Sequence, residues 1–203
     1  MKACHSPNIL WWLCLICAAS PSIANAADAN LAFKPGPASS FANRQGQAGV
    51  ILAGEAYSTA EKVKPPFGKL NPNEHGVLPV LLLVENTSQQ VIRLEQIRVQ
   101  YIDATGRKID HVPAKDVPYL RGPSRPKIGT NPFPGIGGKK KNPLAAMEIE
   151  SRAFAAKMVP PGDAAHGFFY FQVEHRPGAI LYVTGLQEAS TGKDLFFFEI
   201  PLP

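Results

Sequence analysis

Residues 77–85 read Val-Leu-Pro-Val-Leu-Leu-Leu-Val-Glu, an almost wholly apolar run followed by the turn sequence Asn86-Thr87-Ser88-Gln89. A run of this kind reads as a strand buried on both faces. Pro79 lacks an N–H and so limits where the start of that strand can pair. Further short β-branched and aromatic runs cover 47–57, 91–102, 107–112, 151–159, 167–175, 179–188 and 194–200. Gly, Pro, Asn or Asp separates them at the intervals of an antiparallel sandwich. The expected fold is therefore all-β: about eight strands in two packed sheets, with long loops and at most two short helices.

Side-chain parity adds detail within these runs. Ile92 and Leu94 share one face, whereas Ile97, Val99 and Tyr101 fall in the opposite phase. A one-residue slip would put half of this apolar set into water, so a β-bulge is expected at Glu95-Gln96. Asp103-Ala104-Thr105-Gly106 reads as a hairpin turn. Phe169, Phe171 and Val173 alternate with Phe168, Tyr170, Gln172 and Glu174, and six of the eleven Phe lie at 168, 169, 171 and 196–198. The core is expected to draw on both runs, and Pro201 and Pro203 to end the last strand. Ser58-Thr59-Ala60-Glu61 has capping-box spacing, but Pro65-Pro66 limits that helix to about two turns. Asn142-Pro143 ahead of Leu144-Ala145-Ala146-Met147-Glu148 marks a second short helix.

The first 26 residues have the pattern of an export signal: Lys2, an apolar stretch from Ile9 to Ala19, and the small-x-small sequence Ala24-Asn25-Ala26. Eleven apolar residues are too few to span a bilayer, which needs about 20. No transmembrane anchor is therefore expected after cleavage. Residues 27–46 read as a flexible lead-in and residues 47–203 as one domain. Cys4, Cys14 and Cys17, the only cysteines, leave with the signal. The processed chain thus excludes disulfide staples, thiolate catalysis and Cys-held metal or haem. Its 177 residues suffice for a hydrophobic core, since a domain of this size buries roughly 70% of the surface of its unfolded chain.

Charge is concentrated in one place. Residues 113–143 hold seven Pro and five Gly, so they form neither regular helix nor central strand. Lys115, Arg121, Arg125, Lys127, Lys139, Lys140 and Lys141 stand against the single Asp116, a net charge of +6. The rest of the processed chain sums to −2. A basic loop on a near-neutral body is an electrostatic footprint for an anionic partner, here an anionic envelope component or an acidic patch on a protein. The expected contact residues are Arg121, Arg125, Lys127, Lys139, Lys140 and Lys141. Nucleic acid is not expected, since only Tyr119 and Phe133 could stack on bases within the insert.

Gly135-Ile136-Gly137-Gly138-Lys139 is not a phosphate loop. Phe133 stands where that motif needs Gly, Lys140 where it needs Ser or Thr, and no strand leads directly into it. His75, His111, His166 and His175 show no metal-ligand spacing, so neither a metal nor a cofactor is expected. Pro161-Gly162-Asp163 reads as turn chemistry, and there is no Gly-x-Ser-x-Gly elbow. Asn86-Thr87-Ser88 matches a glycosylation sequon that the turn itself explains.

Several stretches resemble a group of uncharacterised secreted bacterial proteins. They are 67–72 and 76–80, Val84-Glu85-Asn86-Thr87-Ser88, Lys139-Lys140-Lys141-Asn142-Pro143-Leu144, and Pro160-Pro161-Gly162 leading to Gly167-Phe168-Phe169-Tyr170-Phe171. The pattern is also similar to immunoglobulin-like accessory domains of cell envelopes. Over residues 45–203 the resemblance implies an immunoglobulin-like sandwich in a periplasmic or secreted protein, and it implies no activity. The first functional expectation is a non-enzymatic interaction domain. The alternative is a small-ligand or metal-binding protein, or a hydrolase, with a site among His166, His175, His111 and Asp163 in the loops at one end of the sandwich.

Overall fold

The computed structural model describes residues 33–120, 144 and 147–203. The candidate signal at 1–26 and the expected second-helix cap at Asn142-Pro143 lie outside them.

The first layer is an antiparallel sheet in the order β1 (Arg44–Gln47), β2 (Val50–Ala56), β3 (Leu78–Asn86), β8 (Ala164–Phe171). Ala48 and Gly49, both at positive φ, make the tight β1–β2 turn that suits twisted hairpins. The lead-in to residue 46, expected to be flexible, thus contributes the edge strand β1, and Ala38 ahead of it is buried.

The second layer contains two hydrogen-bonded groups. One runs β11 (Asp194–Leu195), β10 (Leu186–Glu188), β4 (Ile92–Arg93), β7 (Met158–Val159). The other runs β12 (Phe198–Leu202), β9 (Ala179–Thr184), β5 (Arg98–Ile102), β6 (Lys108–Asp110). Three stretches of chain pass through both groups, as β4 then β5, β9 then β10, and β11 then β12. The two groups are therefore one layer bent across its middle.

That bend splits three runs that the sequence presents as single strands. The parity slip at Glu95-Gln96 is real, but a turn resolves it. Arg93 pairs with Gln187 and Arg98 with Thr184, so residues 94–97 face only 185 and 186, and Ile97 N–H donates to the Leu94 carbonyl at 3.0 Å. Ile92, Leu94, Val99 and Tyr101 consequently all reach the core. Gly185 sits opposite at φ +81, where an added Cβ would lie 2.0 Å from the Gln96 carbonyl oxygen. Phe196 and Phe197 bridge the third break and are exposed, so only Phe198 of that trio enters the core.

Two further expectations are corrected. Pro201 does not stop the last strand; it pairs with Ile180 within β12, which lies at a sheet edge where a missing N–H is tolerated. Of 151–159, only Met158–Val159 is strand. Its start belongs to α2 (Met147–Ser151), and residues 152–157 cross between the layers, fixed to β8 by Phe168 N–H to Arg152 O (2.8 Å) and Phe154 N–H to Phe168 O (3.1 Å).

Strand parity sorts the apolar residues onto two faces. Val50, Leu52, Leu78, Val80, Leu82, Val84, Phe169 and Phe171 face the second layer and form the main core with it. Ala53, Tyr57, Leu81, Leu83, Phe168 and Tyr170 face the other way, under a cover that includes Val63 and Phe67 of α1 (Ala60–Phe67), Val117, Leu144 and Ile149. The apolar run of β3 is therefore buried on both sides, as its composition demands. Thr59 caps α1 by accepting from Lys62 N–H at 3.4 Å. Pro65 and Pro66 remove ladder bonds within it, so burial of Val63, Pro66 and Phe67 holds this helix in place.

At Pro79 the missing donor has a local remedy. Tyr57 N–H bonds the Pro79 carbonyl (2.9 Å), and the Tyr57 carbonyl accepts from Asn73 Nδ2 at 2.8 Å.

Candidate functional site

The expected contact residues Arg121, Arg125, Lys127, Lys139, Lys140 and Lys141 lie outside the described residues. The chain on either side of them is packed into the fold. Val117, in the 3-10 turn Ala114–Tyr119, and Leu144 are both fully buried in the cover over β2, β3 and β8. Tyr170 anchors this cover: its hydroxyl donates to the Ile149 carbonyl at 2.7 Å, and its own carbonyl accepts from Val112 N–H at 2.7 Å. Burial pushes the Tyr170 hydroxyl well above the usual tyrosine range, with Arg152 opposing. The insert therefore begins and ends on one packed surface.

The alternative site residues are dispersed. Asp163 precedes the eight-residue β8 and His175 follows it, so a strand about 26 Å long at the usual rise lies between them. Asp163 serves the turn, its carbonyl accepting from Asn86 N–H at 2.9 Å. His166 is exposed on β8, on the face that carries Phe168 and Tyr170. His175 is held at the far end. Tyr101 Oη accepts from Arg176 N–H (3.2 Å) and donates to His175 Nδ1 (3.1 Å), leaving Nε2 to donate to the Pro203 oxygen at 2.9 Å. The Pro203 oxygen can only accept, so this arrangement places a proton on Nε2. Burial raises the Tyr101 hydroxyl, against the lowering effect of the Arg176 N–H.

His111 occupies a third place. A carbonyl can only accept, so the 3.3 Å contact from Nδ1 to Val99 O puts the ring proton on Nδ1. The ring meets Phe169 edge-on at 5.1 Å, and Phe154 stacks on Phe169 at 5.3 Å. These three residues line a cleft at the open side of the sandwich. Phe154 gave no signal in the sequence beyond strand propensity, because the crossing of 152–157 is a tertiary event.

Among the described residues, no group of three or more His, Cys, Asp or Glu is placed to hold a metal ion. No helix among them is long and apolar enough to cross a membrane.

The described chain is an antiparallel β-sandwich, as the sequence led one to expect. No family model matches the sequence, and no curated protein does. Similar solved structures include the yjhA protein from Bacillus subtilis, at 7% identity and TM-score 0.41 over 80% of this chain and 98% of that one. Another is MPT63, a secreted protein from Mycobacterium tuberculosis, at 13% identity and TM-score 0.32 over 83% of this chain and 99% of that one.

Proposed function

We propose that this protein is an exported, non-enzymatic interaction domain, akin to uncharacterised secreted bacterial sandwich proteins. It meets an anionic envelope component or an acidic protein patch through Arg121, Arg125, Lys127, Lys139, Lys140 and Lys141. The observation that carries this reading is charge segregation: +6 within residues 113–143 against −2 in the rest of the processed chain. The fold supports it by seating Val117 and Leu144 in one buried layer, so the basic stretch starts and ends on a packed base.

The test is sedimentation of the protein with isolated bacterial envelopes, beside the Lys139/Lys140/Lys141→Ala variant, at low and high salt. Each Lys near an anionic surface contributes about 1 kcal/mol. The variant is expected to bind roughly a hundredfold more weakly and with a flatter salt dependence. Equal binding by both proteins, insensitive to salt, would overturn the reading.

A further inference from the structure

Residues 152–157 cross the open side of the sandwich. They leave α2 on the outer face of the first layer and enter β7 in the second. Backbone bonds fix the crossing at both ends: Phe154 N–H to Phe168 O at 3.1 Å on β8, and Leu94 N–H to Lys157 O at 2.7 Å beside β4. Between these fixed points lies a cleft of about 430 Å³, within the range of small-molecule sites, about 300–1,000 Å³.

The lining is graded from floor to rim. Leu94 and Phe169, both buried core residues, form the floor. Ile97, Phe154 and Ala156 are half-buried and supply apolar walls. Glu95 on the 94–97 turn and Lys157 on the crossing are exposed at the rim, one of each sign. Among the described residues neither forms an ion pair: the pairs present are Lys62–Glu55 and Arg107–Asp103. His111 adds a polar group whose Nδ1 is committed to Val99 O.

A cleft with an apolar floor and walls and with separated positive and negative groups at its mouth is complementary to a molecule built the same way. We infer that this cleft binds a single-chain zwitterionic amphiphile, its alkyl chain lying against Phe154, Phe169 and Ile97, its anionic group at Lys157 and its ammonium at Glu95. The chain replaces water against aromatic and aliphatic surface, and the opposed rim charges set head-group preference and orientation. This site is independent of the basic insert and stands or falls separately from it.

The test titrates the purified protein with decyl phosphoethanolamine below its aggregation concentration, by calorimetry and by NMR. Decyl phosphate and decylammonium serve as probes that carry charge of one sign only. The expected result is saturable one-to-one binding of the zwitterion, with shifts of the Phe154, Ala156 and Phe169 resonances. Each probe of one charge sign should bind about fivefold more weakly. Lys157→Gln should weaken binding of the zwitterion and of decyl phosphate. Glu95→Gln should weaken the zwitterion and strengthen decyl phosphate. Both residues are exposed, so circular dichroism should show both variants folded. The inference is overturned by failure to bind, by shifts confined to other residues, by equal affinity for the three probes, or by indifference to both substitutions.

Discussion

Asn86 Nδ2 donates to the Val159 carbonyl at 2.9 Å, joining the end of β3 in one layer to β7 in the other across 73 residues of sequence. The same nitrogen reaches Gln90 O at 2.7 Å, and Oδ1 accepts from Ser88 N–H (3.0 Å) and Ser88 Oγ (2.6 Å). Asn86 is fully buried, and every hydrogen-bonding position of its amide is used. Asn86→Asp keeps the shape but replaces two donors with a carboxylate oxygen facing two carbonyls. It should lower unfolding stability by about 3 kcal/mol in a urea titration. An Asp variant as stable as the parent would contradict this role. The sequon nitrogen is also sequestered, so the chain produced in a glycosylating host should carry no glycan at Asn86 by mass spectrometry.

Gly185 and Gly106 offer an internal comparison. Both have φ near +80, at +81 and +84, but a Cβ at Gly185 would lie 2.0 Å from Gln96 O whereas one at Gly106 would meet nothing within 4 Å. Gly106→Ala should cost only the left-handed backbone penalty, about 1–2 kcal/mol. Gly185→Ala should cost clearly more, because the Gln96 backbone must move, and it should spread NMR shift changes into β4 and β5. Equal losses would show that the two chains do not approach closely at the bend.

Tyr170 and Tyr57 make the fold sensitive to alkali. Burial raises both hydroxyls above the ordinary value of 10.0, with Glu55 adding to the effect at Tyr57. The folded state thus favours the neutral phenols. Their contribution is complete below pH 10.0 and is lost as pH rises from there through the higher folded values. Stability should therefore begin to fall only above about pH 10. Tyr170→Phe leaves the Ile149 carbonyl without its buried donor, and should cost about 1–3 kcal/mol at neutral pH while making the alkaline decline shallower. Ionisation of Tyr170 at its ordinary value in the folded protein, by ultraviolet titration, would contradict the burial.

Asp103 acts at the other end of the pH scale. The Thr105 hydroxyl, chiefly, and the Arg107 and Thr105 backbone N–H groups hold its carboxyl at about 2, below the ordinary 3.8. The group's contribution is complete above pH 3.8 and disappears as pH falls toward about 2. Carboxyl NMR should give a midpoint near 2, and Thr105→Ala should move it upward. A midpoint unmoved by Thr105→Ala would contradict the turn's hydrogen bonding.

The sequence revealed the elements whose signal is local. The apolar run of β3, the alternation in β8, the Asp103–Gly106 turn and the Thr59 cap all depend on residues a few positions apart. It was silent where the structure depends on distant pairings. The parity change between Leu94 and Ile97 signalled a break, but choosing a turn over a bulge required Gly185 opposite. The crossing at 152–157 reads as strand because Ala153-Phe154-Ala155-Ala156 is apolar, yet it makes only two backbone bonds to β8 and one to Leu94. The scatter of Asp163, His166, His175 and His111 likewise became visible only once β8 separated them.

The central claim is that the basic insert recruits an anionic partner. Its most direct test is a crosslinking pull-down from envelope extract with the protein and its Lys139/Lys140/Lys141→Ala variant, each at low and high salt. The account predicts a partner captured at low salt by the parent chain, and lost both in the variant and at high salt. A partner retained in all four conditions, or no partner at all, would contradict it.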